Sequence, residues 1–357
     1  MNAAAYAALC KVDDVHYAGP IDPAAIRRHK ALSKILRLAG LQANFSFFSQ
    51  QRLEAIAHEV RARSLPGARL DFFHGFTPWI LTTPPRPYVA WSDCTFRDYI
   101  EIFHRREQFR SDDLERIERA EAAWLRSAHR VLFTSHWAGE RAINDYGLDA
   151  SRVAFTGIFG EVDMPARDVY AGGKEFAFIS TNFEAKGGRI ALGALRQVRR
   201  HHPDAALIVV GDQPSSDAAE PGVSFVGGLC KEIQDEYERF EQILGRVRAL
   251  VHVTRSDISP LLLVEAGYFG CPVISSRRFA IRELVDDGRT GLLLDEPFHV
   301  EIVAKAMRWI LEHEHEYFQM RNAAWTKARE HHSRRRFEAR LLAPVRETVS
   351  DEGVPAA

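Results

Sequence analysis

The chain has 357 residues, 46% hydrophobic and 27% charged, which is typical of a soluble globular protein and long enough for two domains. A formal net charge of −1 provides no global attraction for nucleic acid, so we expect no nucleic-acid partner. With no run of about 18 apolar residues and no charged start before an apolar core, we expect neither a membrane-spanning helix nor a signal peptide. The cysteines are scattered without a CxxC pair, which argues against a zinc site or a disulfide framework and predicts a cytoplasmic protein (Cys10, Cys94, Cys230 and Cys271).

The start of the chain does not follow the usual order of an open α/β domain. Residues 2–12 are mostly alanine and predict a short helix, and residues 14–20 predict a strand that ends in a turn. A Rossmann-like domain instead begins with a strand and a Gly-rich loop before its first helix. Neither is present here, so we expect an N-terminal half that is truncated, begun late or degenerate.

Residues 24–40 predict a basic amphipathic helix. Such a helix can lie on an anionic membrane surface, so peripheral membrane contact through 24–40 is one hypothesis. The alternative, which we favour, is a surface helix with a solvated basic side and an apolar side in the core. The basic residues are Arg27, Arg28, His29, Lys30, Lys34 and Arg37, and the apolar ones are Ile26, Leu32, Ile35, Leu36 and Leu38.

Two predicted strands of the first half end at polar residues. His74 ends the strand predicted over 69–74, and Asp93 follows the strand predicted over 87–92. Because α/β folds bind ligands at the carboxyl ends of their strands, His74 is a candidate cleft residue. The alternatives are a structural histidine and an aspartate that caps a helix or a turn. The rest of this half contains surface helices over 97–128, a strand from Arg130 and a segment at 152–163. We place the linker to the second half near 161–174.

The second half alternates strands and helices, which predicts a parallel sheet covered on both faces. The last helix is followed by residues 350–357, which we expect to be disordered. The predicted strands are 175–180, 205–211, 223–227, 249–253 and 272–275, and the predicted helices are 188–201, 232–247, 261–269, 298–313, 315–332 and 334–348.

The loop after the first of these strands contains a candidate phosphate-binding cation. Lys186 precedes Gly187 and Gly188 at a predicted helix start. A cation with flexible backbone at that place suits a diphosphate. The alternative is a solvated lysine. Gly211 ends the next strand, at the same predicted edge of the sheet.

The stretch from Ser256 to Pro272 predicts a second part of the same site. Pro260 is suited to the first turn of a helix over 261–269, where its missing N–H does no harm. The N–H groups of Leu261 and Leu262 are then free to bind an anion at the helix N-terminus. Asp257 precedes the helix, and Glu265, one turn inside it, could hold the hydroxyl groups of a ribose. The alternative is a solvated Glu265.

The same stretch resembles the donor-site motif of the family 4 retaining glycosyltransferases, also called glycosyltransferase group 1. That motif has two acids separated by seven residues, then Glu-Ala and a later Gly-x-Pro-Val-Ile, as in the chain from Asp257 to Ile274. The usual first acid is Glu, and the usual residue three positions later is Gly; here they are Asp257 and Pro260. The resemblance extends from about Asp14 onwards and is strongest over 175–295.

The resemblance implies a GT-B fold, with two Rossmann-like domains facing a cleft and the first lacking its initial strand and Gly-rich loop. It implies residues 1–162 as the acceptor-side domain, 175–332 as the nucleotide-sugar domain, and 333–357 as a helix returning to the first domain plus a tail. The implied activity is transfer of a sugar from a nucleoside-diphosphate sugar to a carbohydrate, lipid-linked or small-molecule acceptor, with retention of configuration. No metal and no cofactor are expected.

The resemblance also assigns roles to residues. Lys186, Gly187 and the N–H groups of Leu261 and Leu262 would bind the diphosphate, Glu265 the ribose, and Gly211 would lie near the base. Asp257 would contact the sugar. His74 and Asp93 would position the sugar or the acceptor.

Other enzyme classes lack their motifs in this chain. There is no GxGxxG after a strand, no Walker Lys-Ser/Thr loop and no GxSxG elbow. Two alternatives within the same fold stay open at this point. One is a non-catalytic binding or partner protein, and the other is a nucleotide-sugar epimerase.

Overall fold

The computed structural model describes residues 2–11, 14–23, 27–212 and 220–351. The chain divides into two compact units. The first contains residues 1–157 together with 337–357, and the second contains residues 158–336. From the sequence, the first domain is predicted to end at 162 and the second to begin at 175, with the linker between them. The C-terminal segment that returns to the first domain is predicted to begin at 333.

The first unit is built on a parallel sheet of four strands in the order β1-β2-β3-β4. Helices connect the second strand to the third and the third to the fourth, whereas the irregular segment 75–87 connects the first to the second; each is a crossover long enough for parallel pairing. Buried aromatic residues such as Phe45, Phe96 and Phe133 dominate its core. In chain order the elements are α1 (Asn2–Leu9), α2 (Arg27–Leu38), α3 (Gln50–Ala62), β1 (Asp71–His74), β2 (Tyr88–Ser92), α4 (Phe96–Phe103), α5 (Ser111–Ser127), β3 (Arg130–Phe133), α6 (His136–Tyr146) and β4 (Val153–Phe155).

The second unit is built on a parallel sheet of six strands in the order β10-β9-β8-β5-β6-β7. Its central strands are buried runs of Phe, Ile, Leu and Val, because helices cover both faces. The elements are β5 (Glu175–Ser180), α7 (Gly188–Val198), β6 (Ala206–Gly211), β7 (Val223–Gly227), α8 (Gln234–Arg246), β8 (Ala249–His252), α9 (Leu261–Tyr268), β9 (Val273–Ser276), α10 (Ile281–Leu284), β10 (Gly291–Leu294), α11 (Val300–Glu312) and α12 (Glu314–His331).

The last helix, α13 (Arg334–Asp351), joins the first unit from Phe337 onwards. The centre of the Phe337 ring lies 5.7 Å from that of Trp91 in β2. Lys11 forms an ion pair with Glu338 at 2.8 Å. These contacts attach the C-terminal segment to the N-terminal sheet. Residues 350 and 351 belong to α13, and the rest of the tail predicted to be disordered lies outside the described residues.

The prediction of a strand at 14–20 is wrong. Residues 14–20 have no regular structure, and β1 is the first strand among the described residues. The pattern of Val15 and Tyr17 suits a strand, but a strand also needs a neighbour to pair with. Among the described residues, helix α1 therefore precedes every strand of the first unit.

The favoured orientation of α2 is also wrong. Leu32, Ile35 and Leu38 have exposed fractions of 56%, 62% and 78%, so its apolar side does not lie in the core. Ser33 is buried instead, and its hydroxyl donates to the carbonyl oxygen of Asn44 at 3.1 Å. The helix therefore buries a small polar residue, leaves Leu36 half-buried and presents Leu32, Ile35 and Leu38 to solvent. The side chains of residues 24–30 are outside the described part.

Candidate functional site

The site lies where the sheet of the second unit changes its direction of winding. Strand β5 pairs with β6 on one side and with β8 on the other. The chain leaves β5 towards β6 and leaves β8 towards β9, so the loops after these two neighbouring strands run in opposite directions. Open α/β sheets bind ligands in the crevice that such a switch point creates. Lys186 is in the loop after β5, and Asp257 is in the loop after β8.

The structure brings these two residues together. The Lys186 Nζ lies 2.5 Å from the Asp257 Oδ1. It also donates to the carbonyl oxygen of Ser256 at 3.0 Å. The alternative of a solvated lysine is wrong, since only 19% of the Lys186 side chain is exposed.

A histidine that the sequence analysis did not single out holds the other oxygen of Asp257. The His252 Nε2 lies 2.9 Å from the Asp257 Oδ2. Burial raises the pKa of the Asp257 carboxyl, but the His252 hydrogen bond and the Lys186 cation together outweigh burial and hold that pKa below its usual value. Asp257 is therefore a carboxylate with both oxygens directed by neighbours. A polar residue in the apolar run 249–253 was the signal that could have identified His252.

Two glycines at this edge of the sheet are required by close backbone contacts. Gly187 has a φ of +87°, and a Cβ there would lie 2.7 Å from the carbonyl oxygen of Val253. Gly211 has a φ of +101°, and a Cβ there would overlap the carbonyl oxygen of Ser180. Any larger residue would push the loops after β5 and β6 away from their neighbours. Both glycines thus help to keep the switch point compact.

The helix α9 begins at the expected place. Pro260 is its N-cap in an extended conformation, and the first amide that bonds back is that of Leu263, to the carbonyl oxygen of Pro260. The amides of Leu261 and Leu262 are at the start of the helix, where no intrahelical acceptor exists. They carry the partial positive charge of the helix N-terminus. The helix ends at Tyr268, and Gly270 follows with a φ of +61°.

Glu265 is buried and already has partners. Its exposed fraction is 2%, so the alternative of a solvated Glu265 is wrong. The Lys231 Nζ lies 2.5 Å from its Oε1, and the main-chain N–H of Glu161 donates to the same oxygen at 2.9 Å. A Cβ on Gly160 would lie 2.8 Å from the Glu265 Cγ, so the 160–161 backbone is tightly apposed to it.

Lys231 is a second residue that sequence reasoning missed. It lies in the loop after β7, at the carboxyl edge of the sheet, and its ammonium lies 4.6 Å from the centre of the Phe240 ring. The rule that polar residues after strands mark sites could have identified it. Asp257, before the start of α9, and Glu265, inside α9, are thus each paired with one lysine.

The other two candidates lie in the first unit. His74 ends β1 and is exposed, with its ring centre 5.0 Å from that of Trp91. Partial burial of its ring lowers the pKa of His74, and the charge of Asp93 opposes that shift. Asp93 is exposed and follows β2, the neighbour of β1. It is not a helix cap, because Thr95 caps α4. Both therefore lie at the carboxyl edge of the first sheet.

The described residues offer neither a metal centre nor a membrane span. No cluster of three or more His, Cys, Asp or Glu side chains within them has the arrangement of a metal site. None of the helices that they form combines the length and the hydrophobicity needed to cross a bilayer.

Comparison with known families gives a match over the second unit. Residues 173–313 match the family described as Glycosyl transferases group 1. A glycogen synthase from Mycobacterium tuberculosis is 27% identical over 175 residues, which is 46% of this chain and 38% of that enzyme. The chain therefore matches well under half of the length of this relative.

Solved structures share the fold over both units. Sucrose-phosphate synthase from Thermosynechococcus elongatus is 17% identical, with a TM-score of 0.62 over 84% of this chain and 78% of that one. Anabaena HepE in complex with UDP-glucose is 18% identical, with a TM-score of 0.57 over 88% of this chain and 82% of that one. WaaG, a glycosyltransferase involved in lipopolysaccharide biosynthesis, is 16% identical, with a TM-score of 0.55 over 84% and 82% of the two chains. The predicted GT-B fold is thereby confirmed.

Proposed function

We propose that this chain, whose residues 173–313 match the family Glycosyl transferases group 1, transfers a sugar from a nucleoside-diphosphate sugar to an acceptor. Transfer proceeds with retention of anomeric configuration and without a bound metal. The observation that carries the proposal is the Lys186–Asp257 contact at the switch point of the sheet, in the loop that leads into α9.

The donor diphosphate binds at the start of α9. The amides of Leu261 and Leu262 and the Lys186 ammonium supply positive charge there, which supports leaving-group stabilisation without a metal ion. Lys186 exchanges its contact with Asp257 for one with the diphosphate. The freed Oδ1 of Asp257 then accepts a hydrogen bond from a hydroxyl of the sugar.

The ribose binds to Glu265. Within the described residues, both contacts of its carboxylate fall on Oε1, from Lys231 and from the Glu161 amide. Oε2 is the oxygen left to accept a ribose hydroxyl, and the Lys231 ammonium compensates the negative charge of the carboxylate in its buried position. The loop after β6, which follows Gly211, lies next to the base.

The acceptor is a carbohydrate, alone or as part of a lipid-linked or small molecule, and it binds to the first unit. His74 and Asp93 are polar side chains at the carboxyl edge of that sheet, and they position the acceptor. HepE in complex with UDP and glucose, which shares the fold at 18% identity, is an example in which a nucleotide and a sugar bind the same protein.

The exposed apolar side of α2 supports peripheral contact with an anionic membrane. Leu32, Ile35 and Leu38 follow one another at intervals of three residues, and Leu41 extends the row with an exposed fraction of 58%. Lys34 is also exposed on this helix, whose sequence is rich in basic residues. An apolar row beside basic residues is the pattern of a helix that lies in a lipid interface.

Vesicle sedimentation tests the membrane contact. The protein should bind phosphatidylglycerol vesicles and not phosphatidylcholine vesicles, and the double variant Ile35→Glu/Leu38→Glu should lose binding without a change in melting temperature. Equal binding of the wild type and the double variant would remove α2 from the proposal.

Thermal stability in the presence of UDP-, GDP-, ADP- and TDP-glucose tests the donor site. A ligand at 100 times its Kd adds about 2.7 kcal/mol of stability, which is readily detected. We expect one nucleotide to shift the melting temperature, and Glu265→Gln to reduce that shift. Glutamine is preferred to alanine because it keeps an oxygen for the Lys231 and Glu161 partners of Glu265.

The outcomes separate the proposal from its alternatives. Turnover of the bound donor with an acceptor supports the transferase. Turnover of the donor without any acceptor, to an epimeric sugar nucleotide, supports an epimerase. No shift with any of the four nucleotides, from a well-folded sample, refutes the donor site and supports a non-catalytic protein.

A further inference from the structure

His252 has an environment that packing alone does not explain. It ends β8, whose other residues, Ala249, Leu250 and Val251, are fully buried aliphatic side chains. His252 itself has an exposed fraction of 4%. Burying an imidazole at a place that suits an aliphatic residue costs free energy unless the ring makes a hydrogen bond. Its bond is to Asp257.

The backbone of His252 is held by its neighbours in the sheet, whereas Asp257 lies in a loop without regular structure. His252 pairs with Ser275 of β9, and the Ser275 hydroxyl donates to the main-chain oxygen of His252 at 2.9 Å. Residues 253–260, which contain Asp257, form no helix or strand. The contact between Nε2 and Oδ2 therefore ties a loop carboxylate to the centre of the sheet.

The contact between His252 and Asp257 has a defined direction. The pKa of Asp257 is held below its usual value, so its carboxylate oxygens only accept hydrogen bonds. His252 Nε2 therefore carries the proton of this hydrogen bond and donates it to Oδ2. The other ring nitrogen, Nδ1, is buried and has no hydrogen-bond partner among the described residues, so within this part of the chain the ring bonds through Nε2.

We propose that His252 is a positioning residue for the sugar, which fixes Asp257 through Oδ2 so that Oδ1 alone is exchanged between Lys186 and a hydroxyl of the donor sugar. The proposal rests on the donor site proposed above. Aspartate has one methylene less than glutamate and reaches less far, so its direction matters more. With His252 in place, the carboxylate keeps one oxygen fixed on the sheet while the other changes partner.

The test measures how much the sugar adds to nucleotide binding. Calorimetry gives the Kd of UDP-, GDP-, ADP- and TDP-glucose, and of the matching nucleoside diphosphate without sugar, for each variant. His252→Leu should weaken binding of the sugar nucleotide about tenfold, the effect of losing one hydrogen bond between a sugar hydroxyl and the charged Asp257 when that carboxylate is no longer held in place. Its Kd for the bare diphosphate should change less than about threefold, because His252 does not contact that part of the ligand.

Three further variants separate positioning from packing. His252→Gln retains an amide N–H donor at a similar reach and should restore most of the affinity for the sugar nucleotide. In an Asp257→Asn protein, the further change His252→Leu should have no additional effect on that affinity, since His252 acts through Asp257. His202→Leu is the matched control, because His202 forms a histidine–carboxylate pair with Glu312 at 3.0 Å on the same unit. It should leave both affinities unchanged.

The results that would contradict the donor site and those that would contradict the role of His252 can be distinguished. If the wild type binds none of the nucleotides, the proposed donor site is wrong and the role of His252 falls with it. If the wild type binds a sugar nucleotide and His252→Leu binds it equally well, only the positioning role is refuted. If His252→Leu does not fold, His252→Asn takes its place, because its shorter amide stays polar but does not reach Oδ2. Wild-type affinity for the sugar nucleotide in that variant would refute the positioning role.

Discussion

Replacing Lys186 by methionine removes the ammonium from the switch point and nearly keeps the length of the side chain. Lys186 Nζ contacts Asp257 and the carbonyl oxygen of Ser256, and its side chain is 19% exposed. A hydrogen bond between a charged donor and a phosphate contributes about 1.5–3 kcal/mol, so affinity for a nucleoside diphosphate should fall about 10- to 150-fold. Since His252 still holds Asp257, we expect the variant to fold.

Calorimetric titration with the nucleoside diphosphate that the wild type binds measures this effect. Lys174→Met is the matched control, because Lys174 precedes β5 at the opposite end of the strand and pairs with Asp204 at 2.8 Å. It should bind the diphosphate as the wild type does. A Lys186→Met protein with wild-type affinity would show that the cation does not contact the phosphates, and would refute the assignment.

Three predictions concern stability. Glu121 is fully buried, and burial raises the pKa of its carboxyl to about 7. Between about pH 4.5 and pH 7 the folded protein therefore keeps a proton on Glu121 that the unfolded chain loses. The free energy of unfolding should fall by about 2–3 kcal/mol as the pH rises over that range. Gly211→Ala should cost about 2–4 kcal/mol through a clash with the Ser180 carbonyl and a positive φ, whereas Gly228→Ala, with no atom within 4 Å, should be near neutral. Arg321→Met should cost about 2–3 kcal/mol, because Arg321 is 1% exposed and donates to the carbonyl oxygen of Phe269.

Urea unfolding at several pH values measures all three. Glu121→Gln should flatten the pH dependence between about 4.5 and 7, and an unchanged slope in that variant would assign the dependence to another group. Equal midpoints for Gly211→Ala and Gly228→Ala would contradict the steric argument. For Arg321, the partly exposed Asp168 limits the expected loss, since its carboxylate can be solvated when the arginine is absent. A wild-type midpoint for Arg321→Met would show that its buried contacts add no net stability.

The position of the candidate site within the second unit follows from the order of strands as much as from the motif. Chain order places Lys186 after one strand and Asp257 after another, with two strands between them in sequence. Only the sheet order β6-β5-β8-β9 makes those two strands neighbours. Without that pairing, the same residues would lie on separate loops with no common function.

Local patterns determined most of the elements of this protein. The alternation of apolar runs with amphipathic helices predicts every strand from β5 to β9, and Pro260 and Gly270 predict the limits of α9, because such short-range rules depend on the chain itself. The strand predicted at 14–20 failed for the opposite reason. Its existence depends on a pairing partner, which the local sequence does not specify.

The contacts of the charged groups were decided by the tertiary structure alone. Lys231 is 34 residues from Glu265, and the Glu161 amide is 104 residues from it. Similarly, the hydrophobic pattern of α2 indicates an apolar side, but whether that side is covered depends on what packs against the helix. The sequence thus determined which residues carry charge and which strand or helix ends they occupy. The fold determined which of those charges meet, because parallel strands bring distant segments of the chain to one edge of the sheet.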